Sequence, residues 1–300
     1  MKPKNWNAGG QNVIELIVSD MDGTLLNNKM AVSEANQVAI KTAEKLGIKF
    51  MVATGRGYTE AVPALEEVGI RCPMITVNGG QTYDENGTLL GNVGIDQTRI
   101  RHILNFAREK GLYAELVMAD GVYSDNKVKR IETMTSLLQI TNPHTTFKMA
   151  LVLALSRLEL LNINYIKDYE DVLTEDRLAL KVLVYSNEGQ PELQPVREEY
   201  EKDAELVVTS SFYNNLEINH VQAQKGIALE RVAKEMGIPL DRVMAIGDNF
   251  NDASMLEKAG VSFAMGNAAE GVKKIAKYET ATNTEDGVAK AILRCIDEKL

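Results

Sequence analysis

Asp20 and Asp22 stand two residues apart, directly after an apolar run from Ile14 to Val18. Such a run reads as a short buried strand. On an extended chain, residues i and i+2 lie on one side. The two carboxylates are therefore expected to project together from the strand's carboxyl end, with Gly23 letting the chain turn away. Carboxylates that close repel unless a cation lies between them or one keeps its proton. The pair suits a metal site with a nucleophile. An ordinary turn is the plainer reading of Asp-x-Asp-Gly taken alone, since both residue types favour turns.

Three further stretches carry chemistry. Thr54-Gly55-Arg56 follows a second apolar run, Ile48 to Ala53. A hydroxyl with adjacent peptide N–H groups at a strand end suits a phosphoryl oxygen, although a plain turn would use the same residues. Lys225 opens a helix, where a cation opposes the helix dipole. As structure that is mildly unfavourable; as a mobile cation for a phosphate it makes sense. Gly247-Asp248-Asn249-Phe250-Asn251-Asp252 follows the apolar run Val243 to Ile246. Its aspartates and asparagines offer oxygen ligands to a hard cation such as Mg²⁺, or they cap the helix expected from Asp252 to Ala259. His220 has no acidic or histidine partner at a useful spacing and is expected on the surface or at a hinge.

The elements that must position these residues alternate. Ser33 can cap a helix running to about Leu46, where Gly47 stops it. The strand from Ile48 to Ala53 follows. Strand, helix and strand within so short a span form a βαβ unit, so the sheet should be parallel. A helix from Tyr58 to about Val68 and a strand from Met74 to Val77, ending in Asn78-Gly79-Gly80, continue the rhythm. From about Tyr83 to His220 it breaks. There the sequence predicts a hairpin about Asn86-Gly87 and a helix from Thr98 to Lys110. It also predicts short strands near Tyr113 to Met118, Leu178 to Tyr185 and Leu206 to Thr209. Helices are expected near Val152 to Leu161 and Gln194 to Lys202. This mixture suggests a separate α+β module. Met149, Val152, Leu153 and Leu155 are expected in the module's core, and the cationic run Lys127, Lys129 and Arg130 in an exposed loop. The α/β rhythm resumes at Val221 and closes with a helix to about Glu298.

The composition, 45% hydrophobic and 25% charged over 300 residues, is that of a globular protein with ample core. A net charge of −9 argues against nucleic acid or an anionic membrane as partner. Met1 to Gln11 is polar, lacks the apolar core of a signal peptide, and is expected to be a loose tail. Cys72 and Cys295 lie far apart in no metal-like spacing, as expected of reduced thiols in a cytoplasmic protein.

The string Asp20-Met21-Asp22-Gly23-Thr24-Leu25-Leu26 resembles the first motif of the haloacid dehalogenase-like (HAD) superfamily of phosphatases and phosphotransferases. Thr54-Gly55-Arg56 resembles the second motif and Lys225-Gly226 the third, with Gln224 where many relatives carry Ser. The stretch Gly247 to Asp252 resembles the fourth. Residues 14–80 and 221–300 are similar to the Cof-type phosphatases, the IIB branch of the superfamily. The resemblance implies an α/β fold: a doubly wound, parallel-sheet, Rossmann-like core from 1–82 and 221–300, with an inserted C2-type α+β cap at 83–220. Two adjacent crossings, near 80–83 and 219–221, would make a hinge on which the cap closes. It also implies a Mg²⁺-dependent phosphatase that hydrolyses a small phosphorylated metabolite, a sugar phosphate or similar monoester, through an aspartyl-phosphate. Asp20 would be the nucleophile. Asp22 would be the acid for the leaving alcohol and then the base for water. Mg²⁺ would sit on the Asp20 and Asp248 carboxylates and the Asp22 main-chain carbonyl. Thr54, Gly55, Lys225 and Asn251 would hold the phosphoryl group, and Asp252 would order the metal site or Lys225 from behind. A phosphomutase of the same superfamily and a non-catalytic phosphometabolite sensor are the alternatives, though a sensor would be expected to have lost Asp20 or Asp22.

Overall fold

The structure, a computed structural model, describes residues 14–142, 144–160, 163–210 and 212–300. The polar segment expected to be a loose tail lies outside the described residues. The first apolar run folds as β1 (Leu16–Ser19), buried along its whole length. Ser33 caps α1 (Glu34–Lys45) by accepting the N–H of Asn36 at 3.2 Å. Then come β2 (Lys49–Ala53), α2 (Tyr58–Glu66), β3 (Met74–Thr76), β4 (Gln81–Tyr83) and β5 (Leu89–Asn92). The β4–β5 hairpin turns where Asn86-Gly87 predicts it, with the Asp84 carboxylate accepting the N–H groups of Asn86 and Thr88.

A second group of elements follows: α3 (Gln97–Glu109), β6 (Tyr113–Met118), β7 (Gly121–Ser124), α4 (Lys127–Thr141), α5 (Phe147–Leu160), β8 (Ile163–Tyr165), β9 (Ala179–Tyr185), α6 (Gln190–Tyr200), β10 (Leu206–Thr209) and β11 (Asn215–His220). The chain then builds α7 (Lys225–Met236), β12 (Val243–Gly247), α8 (Ala253–Lys258), β13 (Val261–Ala264), α9 (Glu270–Lys273), β14 (Tyr278–Glu279) and α10 (Gly287–Glu298).

These elements divide into two compact units. One takes the chain up to Asn92 and again from Gln224 to Leu300; the other is Val93–Ala223. The boundaries therefore fall later than 82/83 and 220/221. The hairpin expected to open the inserted module instead extends the first unit's sheet, because β4 pairs with β3 and β5 with β4.

The first unit holds one sheet in the order β14-β13-β12-β1-β2-β3-β4-β5. Pairing is parallel from β14 to β3 and antiparallel beyond. The chain thus runs outward from β1 in one direction and re-enters at β12 on β1's other side. In such a sheet the place where the order reverses, here between β1 and β12, leaves a crevice at the strands' carboxyl ends. The second unit holds a sheet ordered β10-β11-β9-β6-β7-β8, antiparallel except for the β7–β8 pair. One side of it packs on α3 and α6 through Ile100, Ile103, Leu104, Leu193 and Val196. The whole is an α/β protein with a mainly parallel sheet and a second, mixed sheet. Among the described residues, no helix is long and apolar enough to cross a membrane.

The second unit corrects two expectations. Met149, Val152, Leu153 and Leu155 are exposed rather than in the core. α5 is apolar nearly all round, and its small residues Ala150 and Ala154 face Leu138 and Met134 of α4, where a close approach is possible. The run Lys127, Lys129 and Arg130 is the start of a helix, not a loop. Arg130 turns inward to the fully buried carboxylate of Glu115 at 3.1 Å. His220 pairs with Glu205 at 3.3 Å at the end of β11.

Removing one member of a buried ion pair leaves an uncompensated charge. Arg130→Ala is expected to destabilise the protein by about 3 kcal/mol at neutral pH, measured by urea denaturation. Burial already raises the pKa of Glu115, against Arg130. Without Arg130 the carboxyl takes up a proton more readily, so the loss should shrink as pH falls toward 5. A variant as stable as its parent at neutral pH would contradict the pairing.

Candidate active site

Each candidate residue of the first unit stands where a buried strand or a helix start delivers it. Asp20 follows β1, Thr54 follows β2, and Asp248 with Asp252 follows β12; Lys225 is the first residue of α7. Lys225 is wholly buried, and its Nζ donates to Asp20 Oδ1 and to Asp252 Oδ1, both at 2.6 Å. It can reach so far because the next residue is Gly226. A Cβ there would lie 2.2 Å from the Ser254 carbonyl oxygen, so only glycine lets α7 approach α8 this closely. The Gly226 N–H donates to Ser254 Oγ at 2.9 Å.

Asp252 is equally buried and equally occupied. Its second oxygen accepts the N–H groups of Asp248 at 2.9 Å and Asn249 at 3.0 Å. The same carboxylate thus folds the loop after β12 and holds the ammonium of α7. Asp248 accepts from Thr24 Oγ1 at 3.2 Å and from Asn267 Nδ2 at 3.4 Å. Asp20, Asp248 and Asp252 each offer a carboxylate oxygen, all within 4.8 Å of one another.

The electrostatics follow from that crowding. Burial first, then the neighbouring Asp252, pushes the Asp20 carboxyl well above its ordinary range, with Lys225 opposing. Asp248 is raised to about 6 by burial and by Asp252. Burial works against the charge on Lys225, but Asp20 and Asp252 outweigh it and its pKa rises. A single ammonium cannot balance a cluster of three carboxylates. The donor set, all oxygen and carrying surplus negative charge, fits a hard divalent cation.

Asp22 lies beyond the strand, exposed and paired with Arg56. The strand ends at Ser19 and the chain coils at once, with Leu25 N–H on the Asp20 carbonyl and Leu26 N–H on the Met21 carbonyl. Met21 is buried, and Asp22 is turned outward onto Arg56. Arg56 Nε donates to Oδ2 at 2.8 Å and Nη2 to Oδ1 at 2.5 Å. Asp252, expected to order the metal site or Lys225, holds the Lys225 ammonium and lies close to Asp20 and Asp248. Thr54 is buried, its Oγ1 accepting the Arg56 N–H at 3.1 Å, with Gly55 between them. Asn251 turns to Asn78, its Nδ2 donating to Asn78 Oδ1 at 3.1 Å. Type and spacing give no individual role to Arg56, Thr24, Asn78 or Asn267. Three of them do follow strands of the parallel sheet, as the other site residues do, and that placement is the signal that could have found them.

A family model described as haloacid dehalogenase-like hydrolase matches residues 17–292. The phosphatase YwpJ of Bacillus subtilis is 33% identical over 279 residues, covering 92% of this chain and 98% of that protein. A second B. subtilis protein, 5-amino-6-(5-phospho-D-ribitylamino)uracil phosphatase YcsE, is 32% identical over 281 residues, 93% of this chain and 94% of its own length. The solved structure of a haloacid dehalogenase-like hydrolase from B. subtilis superposes with a TM-score of 0.83 at 33% identity, covering 93% of this chain and 99% of that one. The chain belongs to the haloacid dehalogenase-like hydrolase family. It is a phosphatase of that family, a phosphoric monoester hydrolase.

In the metal-free protein Asp248 keeps its proton to about pH 6, against 3.8 for an ordinary aspartate. The folded state therefore binds more protons than the unfolded chain across that window. Stability falls as pH rises through it and stays lower above it. Asp248→Asn removes this loss. After EDTA treatment the variant should be more stable than its parent by about 1–3 kcal/mol at pH 7.5, and the gap should close near pH 4. A metal-free variant less stable than the parent at every pH would contradict the charge surplus.

Proposed function

We propose that the protein is a Mg²⁺-dependent phosphatase that hydrolyses a small phosphorylated metabolite, a sugar phosphate or similar monoester, through an aspartyl-phosphate on Asp20. The observation that carries this is the Asp20 carboxylate itself. It is buried at the end of β1, oriented by Lys225 at 2.6 Å, and flanked by Asp248 and Asp252. A held carboxylate with one oxygen on an ammonium leaves its other oxygen to attack phosphorus.

In the first step an Asp20 oxygen bonds to phosphorus and the bond to the substrate oxygen breaks. Asp22 gives its proton to that oxygen, so the leaving group departs as an alcohol. In the second step water attacks phosphorus and gives a proton to Asp22. The bond from phosphorus to Asp20 breaks, inorganic phosphate leaves, and both carboxyl groups return to their starting states. Because Asp22 is ion-paired with Arg56, it must leave Arg56 to take up the proton it delivers. Lys225, the Thr54 hydroxyl and the peptide N–H at Gly55 hold the phosphoryl oxygens, whose charge must be stabilised during transfer. The carboxylates of Asp20 and Asp248, with the Asp22 main-chain carbonyl, would hold Mg²⁺. The bound ion would offset the repulsion between the nucleophile and an anionic substrate.

A mutase must anchor a second phosphate with cations. The run that could serve is already engaged: Arg130 with Glu115, Lys129 with Glu132 at 3.7 Å, and Lys127 over the Tyr165 ring. The names of the B. subtilis relatives, both phosphatases, support hydrolysis as well. The buried, unpaired thiols Cys72 and Cys295 accord with a cytoplasmic setting.

A panel of phosphorylated metabolites should give net phosphate release that EDTA removes and Mg²⁺ restores. Asp20→Asn should lower turnover by about 10³-fold or more, since an amide is a poor nucleophile. Glucose 1-phosphate followed by NMR should yield free sugar and phosphate. Accumulation of the 6-phosphate without comparable free phosphate would overturn the hydrolase reading.

A further inference from the structure

The turn after β3 is the only place among the described residues where non-glycine residues with positive φ follow one another. Val77 has φ 51°, Asn78 φ 56° and Gly79 φ 103°. A left-handed conformation is unfavourable for any residue with a Cβ and most so for a β-branched one. All three residues are buried. Such strain persists only where the surroundings over-determine it, and it gathers at functional sites.

The surroundings here are three of the loops described above. The Val77 N–H donates to the Arg56 carbonyl at 2.9 Å, and the Asn78 N–H to the Thr54 carbonyl at 3.0 Å. A Cβ at Gly79 would lie 2.5 Å from the carbonyl oxygen of Gln224, the residue before Lys225. The Asn78 side chain accepts from Asn251 Nδ2, and a Cβ at Gly55 would lie 3.1 Å from Asn78 Oδ1. The turn therefore touches the Thr54–Arg56 loop, the start of α7 and the loop after β12. An unstrained turn between β3 and β4 would leave this amide elsewhere.

We propose that Asn78 is a positioning residue for phosphoryl transfer: its amide, presented by the left-handed turn, sets the spacing between Gly55 and Asn251. The inference rests on the phosphatase reading above. Asn78 acts through its neighbours and touches no reacting atom. Loosening it would let the Thr54-Gly55 donors drift from the phosphoryl oxygens they must meet, and small displacements of that kind are costly in turnover.

The test uses the full chain with Mg²⁺ and p-nitrophenyl phosphate, with inorganic phosphate as inhibitor and a melting curve for each variant. Glycine accepts the φ of Asn78 without strain, so Asn78→Gly should melt within a few degrees of the parent. Its kcat should nevertheless fall about 10–100-fold, and inorganic phosphate should inhibit it several-fold more weakly. Asn78→Gly combined with Asn251→Ala should be no worse than the poorer single variant, since both break one contact. Should Asn78→Gly melt early, its kcat and phosphate inhibition are read at a temperature well below its melting point, where the same paired losses are expected. Asn78→Gly that keeps kcat and phosphate inhibition within about twofold of the parent, or losses that multiply in the double variant, would sink the inference alone. A parent inactive on every phosphate ester would sink the phosphatase reading and the inference with it.

Discussion

A buried ammonium between two buried carboxylates is the contact on which the site depends. Lys225 bridges Asp20 after β1 and Asp252 after β12, residues far apart in the chain and adjacent at the place where the strand order reverses. Taking such charges out of water costs several kcal/mol per ion, offset only by good geometry and further hydrogen bonds. The further bonds are present. Asp252 accepts two main-chain N–H groups of its own loop, and Asp248 accepts from Thr24 and Asn267. What remains uncompensated is negative charge, since Asp20, Asp248 and Asp252 share one ammonium. In the proposed chemistry that surplus would gather a cation, and the cation would admit an anionic substrate.

The scaffold makes this arrangement affordable through close backbone approaches rather than through many polar contacts. Glycine at Gly226 lets α7 lie against the start of α8, and Lys225 is thereby carried inward and wholly buried. Gly23 has φ 76°, and a Cβ there would meet the Asp248 carboxylate. Any side chain at either position would separate the loops that the ammonium joins.

Much of this was legible from residue types. Apolar runs ending abruptly in Asp, Thr-Gly or Gly-Asp placed the site residues at strand ends, and strands ended there. Helices with clear periodicity and caps, such as α3 with Asp96 before it and Ile100, Ile103, Leu104 and Ala107 inside, fell within a residue or two of expectation. Other features were hidden for identifiable reasons. The Arg56 partner of Asp22 comes from the loop after β2, which the spacing around Asp22 does not report. Asp252 reads from residue type alone as a helix cap, and its place beside Lys225 comes only from the family resemblance. Asn78 and Asn267 are single polar residues after short strands and carry no spacing pattern. In the second unit, the sheet carries a polar side. Glu115, Lys181 and Glu217 look like surface residues, yet they are buried and paired, Lys181 with Glu217 at 2.8 Å. β11, with Glu217 in its middle, and α4, whose apolar residues lack a clear helical stripe, are not among the elements the sequence predicts.

The central claim is that buried, proton-holding carboxylates form a cation site around Asp20. Calorimetric titration of Mg²⁺ into the metal-stripped protein tests it most directly, run at pH 6 and pH 8 in buffers of different ionisation enthalpy. A metal binds the deprotonated carboxylates, so carboxyl groups that keep their protons without it must release them on binding. With Asp248 raised to about 6 and Asp20 raised as well, binding should release protons at pH 6, and the release should diminish by pH 8. Absence of binding, or binding at pH 6 with no proton release, would contradict the account.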